Sequence, residues 1–286
     1  MMINQNYKSN KRFCVITGAN AGIGKETAMQ LAIKGYHIIM ICRNREKAER
    51  AQNEIKDKSG NEKIDLLIAD LASLKSVENV VKEFKQKYEY LHVLINNAGM
   101  FNRKRTVTEN GYESTFAVDY LAHFLLTNSL LDVITKSAPS RIINVSSNIH
   151  LYFKINFDDL MSEKKYSSQK AYANAKFALV LFSYELARRL IGTGVTVNAL
   201  HPGHAKTKMT APTKKRSKIF LSLISPLTKS PEEAARTSVY LASSPEVEGI
   251  TGKYFKNCKP VKSHKLTYDE SLQMKLWRIS EKLVHI

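Results

Sequence analysis

Short apolar segments that alternate with amphipathic ones constrain the fold of this chain more than any other feature of its sequence. The first, RFCVIT (12–17), is followed by a glycine-rich turn and by a segment of helical spacing that ends at Gly35. Six further segments of strand type lie at 36–42, 64–70, 91–97, 141–147, 195–201 and near 252–255. Short apolar strands separated by amphipathic helices are typical of a parallel sheet covered by helices on both faces. We therefore predict an α/β fold with a parallel sheet of about seven strands.

The sequence gives no sign of a division into several domains. Its 286 residues contain no repeat and no linker rich in proline, glycine and serine, so we predict a single domain over residues 1–286. No uninterrupted apolar run approaches the roughly 18 residues of a membrane span, and the start, MMINQNYKSNKRF, lacks the apolar core of a signal peptide. We therefore expect a cytoplasmic protein.

The cysteines and histidines show no pattern of a metal site. Three cysteines, Cys14, Cys42 and Cys258, occur without a CxxC pair or a clustered histidine, which argues against disulfides and structural zinc. His123, His150 and His204 form no pair with metal-ligand spacing backed by carboxylates. We therefore expect no bound metal.

The chain is strongly basic, with 44 Lys and Arg against 26 Asp and Glu and a formal net charge of +18. Such a surface attracts nucleic acid, anionic lipid or phosphorylated ligands. Many lysines lie between apolar positions of predicted helices, as in KEFKQKYEY (82–90), where they form the solvent-facing side. Because the sequence has no zinc finger, aromatic RNP-type run or recognition helix, we expect no specific nucleic-acid binding.

A glycine-rich turn joins the first predicted strand to the first predicted helix. It reads TGANAGIG (17–24), with Gly18, Gly22 and Gly24. Glycine lets the backbone turn sharply and approach a phosphate, and free N–H groups at the start of the next helix favour negative charge. A tight connection would use the same residues, but the place of this turn at the head of an alternating series indicates a dinucleotide. We therefore predict a doubly wound, Rossmann-type domain that binds its ligand at the carboxyl ends of the strands.

The end of the second predicted strand bears on the choice of dinucleotide. NAD-binding domains place an acidic residue there, where it accepts hydrogen bonds from the adenosine ribose. This chain instead has neutral Cys42 followed by Arg43. A guanidinium suits a 2′-phosphate through charge-assisted hydrogen bonds, so we predict NADP(H), with Arg45 and Lys47 as candidates to extend the pocket. An ordinary exposed loop arginine is the alternative interpretation of Arg43.

Several short motifs, in this order along nearly the whole chain, resemble the short-chain dehydrogenase/reductase family. They are TGANAGIG, AD at Ala69 and Asp70, NNAG at 96–99, VSS ending at Ser147, YANAK with Tyr172 and Lys176, and HPG at 201–203 with Thr207 beyond it. KINFDDL, KAYANAKFALVLFSYELARRL and LQMKLW are similar to the retinol dehydrogenase-like subgroup, which acts on lipophilic alcohols and carbonyls.

The resemblance implies two sets of site residues. The catalytic set is Ser147, Tyr172, Lys176 and Asp119. The set that contacts the cofactor is Gly18, Asn20, Gly22, Ile23, Gly24, Arg43, Asp70, Leu71, Asn97, Ala98, Gly99, Tyr172, Lys176, Pro202, Gly203 and Thr207.

The spacing of Tyr172 and Lys176 fits an acid/base role. Residues four apart share one face of a helix, so the phenol and the ammonium can reach the same point. A free phenol has a pKa near 10 and is a poor base at neutral pH, whereas a nearby ammonium and an oxidised nicotinamide favour the phenolate. The resemblance implies that Ser147 binds the reacting oxygen and that Lys176 also holds the nicotinamide ribose.

One position departs from the family's pattern. VDYLAHF carries Asp119 where relatives commonly have an asparagine whose backbone carbonyl is thought to hold a water in a proton relay toward the lysine. An ionised Asp119 near Lys176 would partly neutralise the effect of the lysine on Tyr172. We expect activity to be retained with a shifted pH optimum.

The segment from 204 to 230 is a candidate substrate lid. Its apolar centre, Ile219 to Leu227, follows a basic run within 214–218, which suits peripheral contact with an anionic membrane surface. A packed surface helix with solvated lysines is the alternative. We also expect a tail helix at about 267–284, and the resemblance leaves open a homodimer formed through helices at 111–134 and 168–190.

Three functions from different classes are compatible with the sequence. The first is an NADP-dependent oxidoreductase of a lipophilic alcohol or carbonyl, such as a retinoid, a steroid or a long-chain aldehyde. The second is a catalytically weak NADP-binding regulatory protein of the same fold, an alternative that the presence of Asp119 in place of the usual asparagine leaves open. The third is a basic nucleic-acid-associated protein, which only the charge supports.

Overall fold

The computed structural model describes residues 12–203 and 229–286. Their strands form one sheet with the order β3-β2-β1-β4-β5-β6-β7-β8. The strands are β1 (Phe13–Thr17), β2 (His37–Cys42), β3 (Ile64–Ile68), β4 (Val93–Asn96), β5 (Ser140–Val145), β6 (Val195–His201), β7 (Lys253–Lys256) and β8 (Lys259–Val261). The first seven pair in parallel, which confirms the predicted doubly wound fold.

The sheet has one strand more than predicted. β8 pairs antiparallel with β7 at its outer edge. It consists of three exposed residues and includes Pro260, so no apolar run marks it in the sequence. An edge strand needs only one hydrogen-bonded side, which is why so short and polar a segment can join the sheet.

Helices cover both faces of this sheet, as predicted. Those longer than three turns are α1 (Gly22–Ile33), α2 (Arg45–Ser59), α3 (Leu74–Lys87), α4 (Ser114–Lys136), α5 (Ser168–Arg189), α6 (Pro231–Ser243) and α7 (Glu270–Val284). α1 packs between α2 and α6 on one face, while α3, α4 and α5 lie on the other. Alternate residues of β1 belong to different hydrophobic cores. Cys14 and Ile16 belong to the core under α1, α2 and α6, and Val15 belongs to the core under α3, α4 and α5. Burial on both faces explains why the strands read as continuous apolar runs.

α4 combines two features that matter for the site. Its length and composition would allow it to cross a membrane, yet most of it is buried as a core helix of this domain. It also contains a π-helical turn, Ala117–Leu121, which carries Asp119. Such turns widen a helix locally and occur often at functional sites.

The predicted tail helix is α7, which begins at Glu270 after a short 3₁₀ turn, Lys265–Tyr268. Its Trp277 lies edge-on to Phe124 of α4, with ring centres 5.0 Å apart, and 5.8 Å from Phe182 of α5. α7 thus covers apolar surface on both long helices. The proposed substrate lid lies outside the described residues except for Lys229 and Ser230.

Candidate active site

The site residues lie where the strand order changes direction. β1 has β2 on one side and β4 on the other, so the connections from these strands leave in opposite directions and open a crevice at their carboxyl ends. The glycine-rich turn follows β1 there, and Asn97 to Gly99 follow β4. Ser147 lies two residues beyond β5 at the same edge.

The glycine-rich turn is packed too closely for side chains. Gly18 has φ +68°, which favours glycine. A Cβ atom at Gly24 would lie 2.5 Å from the Gly18 carbonyl oxygen and 2.4 Å from Asn97 Nδ2. The helix that follows has no side-chain hydrogen bond at its N-cap, Ala21, and no acidic residue in its first turn. Its first N–H groups and its dipole therefore suit the diphosphate of a dinucleotide.

The end of β2 carries a neutral group and an exposed cation. Cys42 is buried, and burial raises the pKa of its thiol to about 11, so it is uncharged at neutral pH. Arg43 is exposed, and among the described residues it forms no ion pair. Arg45 pairs with Glu49 at 3.6 Å, which leaves Arg43 as the better placed cation for a 2′-phosphate.

The end of β3 forms a turn that the Asp70 side chain stabilises. Asp70 Oδ1 accepts a hydrogen bond from the Ala72 N–H at 3.0 Å, and the Asp70 N–H donates to Ser76 Oγ at 2.9 Å. Leu71 beside it is 8% exposed. This geometry keeps Asp70 and Leu71 at the carboxyl edge of β3, next to β2, where the adenine half of a dinucleotide would lie.

A neutral hydrogen-bond network holds the ends of β1 and β4 together. Thr17 Oγ1 accepts hydrogen bonds from the N–H groups of Asn97 and Ala98, each at 2.9 Å, and lies 3.1 Å from His123 Nε2. His123 Nδ1 in turn lies 3.2 Å from the Asp119 carbonyl oxygen. Burial lowers the pKa of His123 to about 3, so the ring is neutral, with Nδ1–H as donor and Nε2 as acceptor.

The structure brings three of the four predicted catalytic residues into one cluster, in which Asp119 and Lys176 are buried and Tyr172 is half-buried. Lys176 Nζ lies 3.1 Å from Asp119 Oδ2 and 5.5 Å from the centre of the Tyr172 ring. The lysine is 3% exposed and Asp119 is 0% exposed. Asp119 Oδ1 accepts the Met100 N–H at 2.7 Å, whereas Oδ2 has no aligned donor among the described residues and is held by the charge of Lys176.

The charges of this cluster act on Tyr172 in opposite directions. Burial raises the pKa of Asp119 to about 6, against the attraction of Lys176, so the carboxyl is mostly ionised at pH 7. Burial alone would lower the pKa of Lys176, but Asp119 and Tyr172 raise it above its usual value. Burial raises the pKa of Tyr172, the charge of Lys176 lowers it and Asp119 raises it again, with a raised value as the result. The phenol of Tyr172 is therefore protonated at neutral pH.

The fourth predicted residue, Ser147, lies beside the cluster. It is half-buried at the N-cap of a short 3₁₀ turn, Asn148–Leu151, and its Oγ accepts the Ile149 N–H at 3.4 Å. Hydrogen bonding from Ser147 lowers the pKa of Tyr172, so the two side chains interact.

Gly99 has a role that its place in a cofactor motif does not reveal. A Cβ atom there would lie 3.0 Å from Asp119 Oδ2 and 3.3 Å from Lys176 Nζ. The backbone of the NNAG segment thus forms one wall of the ion pair, and glycine leaves room for it.

Other predicted positions lie at the edge of the described residues. Pro202 and Gly203 follow β6, and Gly203 has φ +96° with the Lys229 side chain against it. Asn20 and Ile23 lie in the glycine-rich turn and in the first turn of α1. Thr207 falls outside the described residues. The described part of the chain contains no group of three His, Cys, Asp or Glu residues that could hold a metal ion.

Comparisons with known proteins agree with this geometry. The family model described as short chain dehydrogenase matches residues 12–218. Human retinol dehydrogenase 14 is 45% identical over 291 residues, which cover 94% of this chain and 85% of that protein. Human polyprenol dehydrogenase is 41% identical over 273 residues, which cover 93% of this chain and 83% of that protein.

A solved structure extends the comparison to a bound cofactor. The crystal structure of a Beutenbergia cavernae protein assigned as an NAD(P) dependent gluconate 5-dehydrogenase, with bound NADP at low occupancy, has a TM-score of 0.71 and 27% identity. The match covers 86% of this chain and 94% of that one. The chain belongs to the short-chain dehydrogenase family, in its retinol dehydrogenase-like subgroup, and is an oxidoreductase that acts on alcohols with a nicotinamide cofactor.

Proposed function

We propose that this protein transfers hydride between NADP(H) and a lipophilic alcohol or carbonyl, with Tyr172 as the acid/base. The observation that carries the proposal is the cluster of half-buried Tyr172 with the buried Lys176 and Asp119, beside Ser147 at the carboxyl ends of the strands. Perturbed ionisable groups that meet in such a crevice are characteristic of active sites.

In the reductive direction, a carbonyl carbon receives hydride and its oxygen receives a proton. Bound NADPH would supply the hydride. Ser147 holds the substrate oxygen by a hydrogen bond, and Tyr172 donates its phenolic proton to that oxygen. The raised pKa of Tyr172 keeps this proton in place until the substrate arrives. In the oxidative direction Tyr172 accepts the proton of the alcohol.

Lys176 and Asp119 set how readily Tyr172 gives up its proton. The lysine charge favours the phenolate, and the carboxylate 3.1 Å from the ammonium opposes that effect. A positively charged nicotinamide next to the phenol would add to the lysine and favour oxidation of an alcohol. Lys176 would also hold the ribose hydroxyls of the cofactor.

The preference for NADP(H) is supported by the end of β2. A neutral Cys42 leaves no negative charge to repel a 2′-phosphate, and the exposed Arg43 can bind it through two parallel hydrogen bonds. The Gly18 to Gly24 turn would hold the diphosphate. The other residues that we propose for the cofactor are Asp70 and Leu71 at the adenine, and Asn97, Ala98, Gly99, Pro202, Gly203 and Thr207 toward the nicotinamide.

The substrate class is supported by the relatives. Retinol and polyprenol, for which two of them are named, are both isoprenoid alcohols with little polar surface. We propose a substrate that is likewise lipophilic, such as a retinoid, a steroid or a long-chain aldehyde. A cytoplasmic protein with peripheral contact to an anionic membrane would collect such a molecule from the bilayer surface, and a homodimer is compatible with this role. Co-sedimentation with anionic but not neutral liposomes tests the contact.

The decisive experiment is NADPH oxidation with all-trans-retinal, a steroid ketone, a long-chain aldehyde and a small quinone in parallel, with NADH as the alternative cofactor. We expect turnover of at least one lipophilic carbonyl and a loss of about a hundredfold to ten-thousandfold in Tyr172→Phe. Binding of NADPH, detected by cofactor fluorescence, without turnover of any carbonyl would instead identify a nucleotide-binding regulator. The Asp119–Lys176 pair favours this alternative because it weakens the effect of the lysine on Tyr172. Equal activity of Tyr172→Phe and wild type would contradict the proposed acid/base.

A further inference from the structure

The turn that carries Ser147 is short and needs support from outside. It spans Asn148–Leu151, and Ser147 precedes it in an extended conformation with φ −153°. The only bond that the Ser147 side chain makes to this turn is the long one from the Ile149 N–H. A serine that must hold a reacting oxygen requires a backbone that does not move.

His150, a residue of this turn, links it to the chain segment that precedes α7. Its Nδ1 lies 2.6 Å from the Ser147 carbonyl oxygen, and its Nε2 lies 3.4 Å from the backbone nitrogen of His264. The His264 N–H can only donate, so Nε2 accepts, and the proton of the ring is on Nδ1, which donates to Ser147. Burial lowers the pKa of His150 to about 4, so the neutral ring that this arrangement needs is the stable one at pH 7.

The ring of His150 has no freedom to leave this position. It is 0% exposed and packs edge-on against Tyr254 of β7, with ring centres 4.8 Å apart, and against Phe177 of α5 at 6.2 Å. Tyr254 also donates a hydrogen bond to Asn148 Oδ1 at 3.2 Å, so β7 holds the same turn a second time.

His264 connects this turn to the tail helix. Its Nδ1 accepts the Leu266 N–H at 3.2 Å, and its carbonyl oxygen accepts from Thr267 Oγ1 at 2.6 Å. Gln273 of α7 then donates to the Thr267 carbonyl at 2.8 Å. A continuous path of hydrogen bonds therefore runs from Ser147 through His150 and His264 to the first turns of α7.

We propose that His150 is a positioning residue for Ser147, and that it makes the placement of the serine hydroxyl depend on the segment that leads into α7. The inference rests on the proposed function, because only a serine that binds the reacting oxygen needs this placement. A histidine that merely fills the core is the competing explanation, and it predicts a loss of stability without an effect on catalysis that a hydrogen-bond donor can rescue.

A pair of substitutions separates the two explanations. His150→Asn keeps an N–H donor near the position of Nδ1, whereas His150→Phe keeps an aromatic ring against Tyr254 and loses the donor. We expect His150→Phe to lower kcat for carbonyl reduction by roughly tenfold to a hundredfold with an unchanged Kd for NADPH, and His150→Asn to recover most of it. Unaltered kcat in His150→Phe, or an equal loss in both variants, would overturn the positioning role.

The link to the tail is tested at His264, whose φ of −60° is compatible with proline. His264→Pro removes the N–H that donates to His150, while His264→Ala removes the same side chain but keeps that N–H. We expect His264→Pro to have a several-fold lower kcat than His264→Ala. Equal kcat values in the two variants would show that the tail does not act through His150.

Hydrogen exchange gives a readout that does not depend on turnover. We expect His150→Phe to speed amide exchange in 147–151 and to leave the exchange of 17–24 as in wild type. If wild type reduces no carbonyl, the proposed function fails, yet the exchange still decides whether His150 holds the turn. Unchanged exchange in 147–151 would overturn the inference in either case.

Discussion

The two sides of the candidate site are held together by different physics. On the cofactor side, the ends of β1 and β4 are joined by neutral groups, with Thr17 Oγ1 as the common partner of two backbone N–H groups and of His123. On the catalytic side, Lys176 and Asp119 are buried as an ion pair. Neutral hydrogen bonds fix positions, whereas close charges set proton affinities. Changes on the first side are therefore expected to alter cofactor binding, and changes on the second to alter rates and their pH dependence.

The largest effect is expected from Lys176→Met. It removes the partner of a buried carboxylate, so the free energy of unfolding should fall by about 3 kcal/mol and carbonyl reduction should fall at least a hundredfold. The double variant Lys176→Met with Asp119→Asn has no unpaired charge and should regain stability but not activity. Urea unfolding and NADPH oxidation measure the two quantities. A double variant as unstable as the single one would show that packing of the lysine, not its charge, matters.

Two glycines allow a direct comparison of the two sides. Gly24→Ala forces a Cβ against the Gly18 backbone, which cannot yield easily, so it should cost about 1–3 kcal/mol of stability and weaken NADPH binding. Gly99→Ala meets the side chains of Asp119 and Lys176, which can shift by a few tenths of an ångström, so its stability loss should be smaller and its pH–rate profile altered. Fluorescence titration measures the affinity of both variants for NADPH, and pH–rate profiles measure their catalysis. A Gly99→Ala variant that changes binding alone would break the distinction between the sides.

A smaller effect is expected from Arg43→Ala on the cofactor side. Loss of a charge-assisted hydrogen bond to the 2′-phosphate should raise the KM for NADPH about tenfold to a hundredfold and leave the KM for NADH nearly unchanged. Arg45→Ala is the matched control, because Arg45 is already paired with Glu49. Equal changes for both cofactors would mean that Arg43 does not read the phosphate.

The smallest change in rate is expected from Asp119→Asn, which removes the carboxylate charge but keeps an Oδ1 acceptor for the Met100 N–H. Since the Asp119 charge raises the pKa of Tyr172, its removal should move the pH–rate profile of alcohol oxidation to lower pH. The limb that protonation of Asp119 adds near pH 6 should also vanish. Asp132→Asn, on the exposed side of the same helix, should leave the profile in place. A profile unmoved by Asp119→Asn would refute the electrostatic role of this carboxylate.

The parts of the molecule that were predictable are those encoded in adjacent residues. Seven strands were identified, most of them because burial on both faces makes a continuous apolar run. The glycine-rich turn, the residues after β4 and the pair Tyr172 and Lys176 are local motifs at strand ends or on one helical turn. The sequence alone therefore assigns them to one edge of the sheet.

The parts that were not predictable depend on contacts between distant residues. His123 and His150 were interpreted only as lone histidines, because their partners, Thr17 and the backbone of His264, lie more than a hundred residues away. Each ring donates to the backbone carbonyl of a proposed catalytic residue three or four positions before it, but that spacing alone does not distinguish such a bond from an ordinary neighbour along the chain. The spacings of His123 four residues after Asp119 and of His150 three residues after Ser147 were the local signals available.

The position of Trp277 between α4 and α5 has a consequence for biosynthesis. Phe124 and Phe182 are made well before the tail helix that covers them, so the nascent chain carries an uncovered aromatic surface while translation continues. Chaperones that recognise exposed aromatic side chains are therefore expected to bind late-stage nascent chains and to be released once α7 docks. A nonsense mutation ahead of α7 would make that exposure permanent and direct the product to proteolysis.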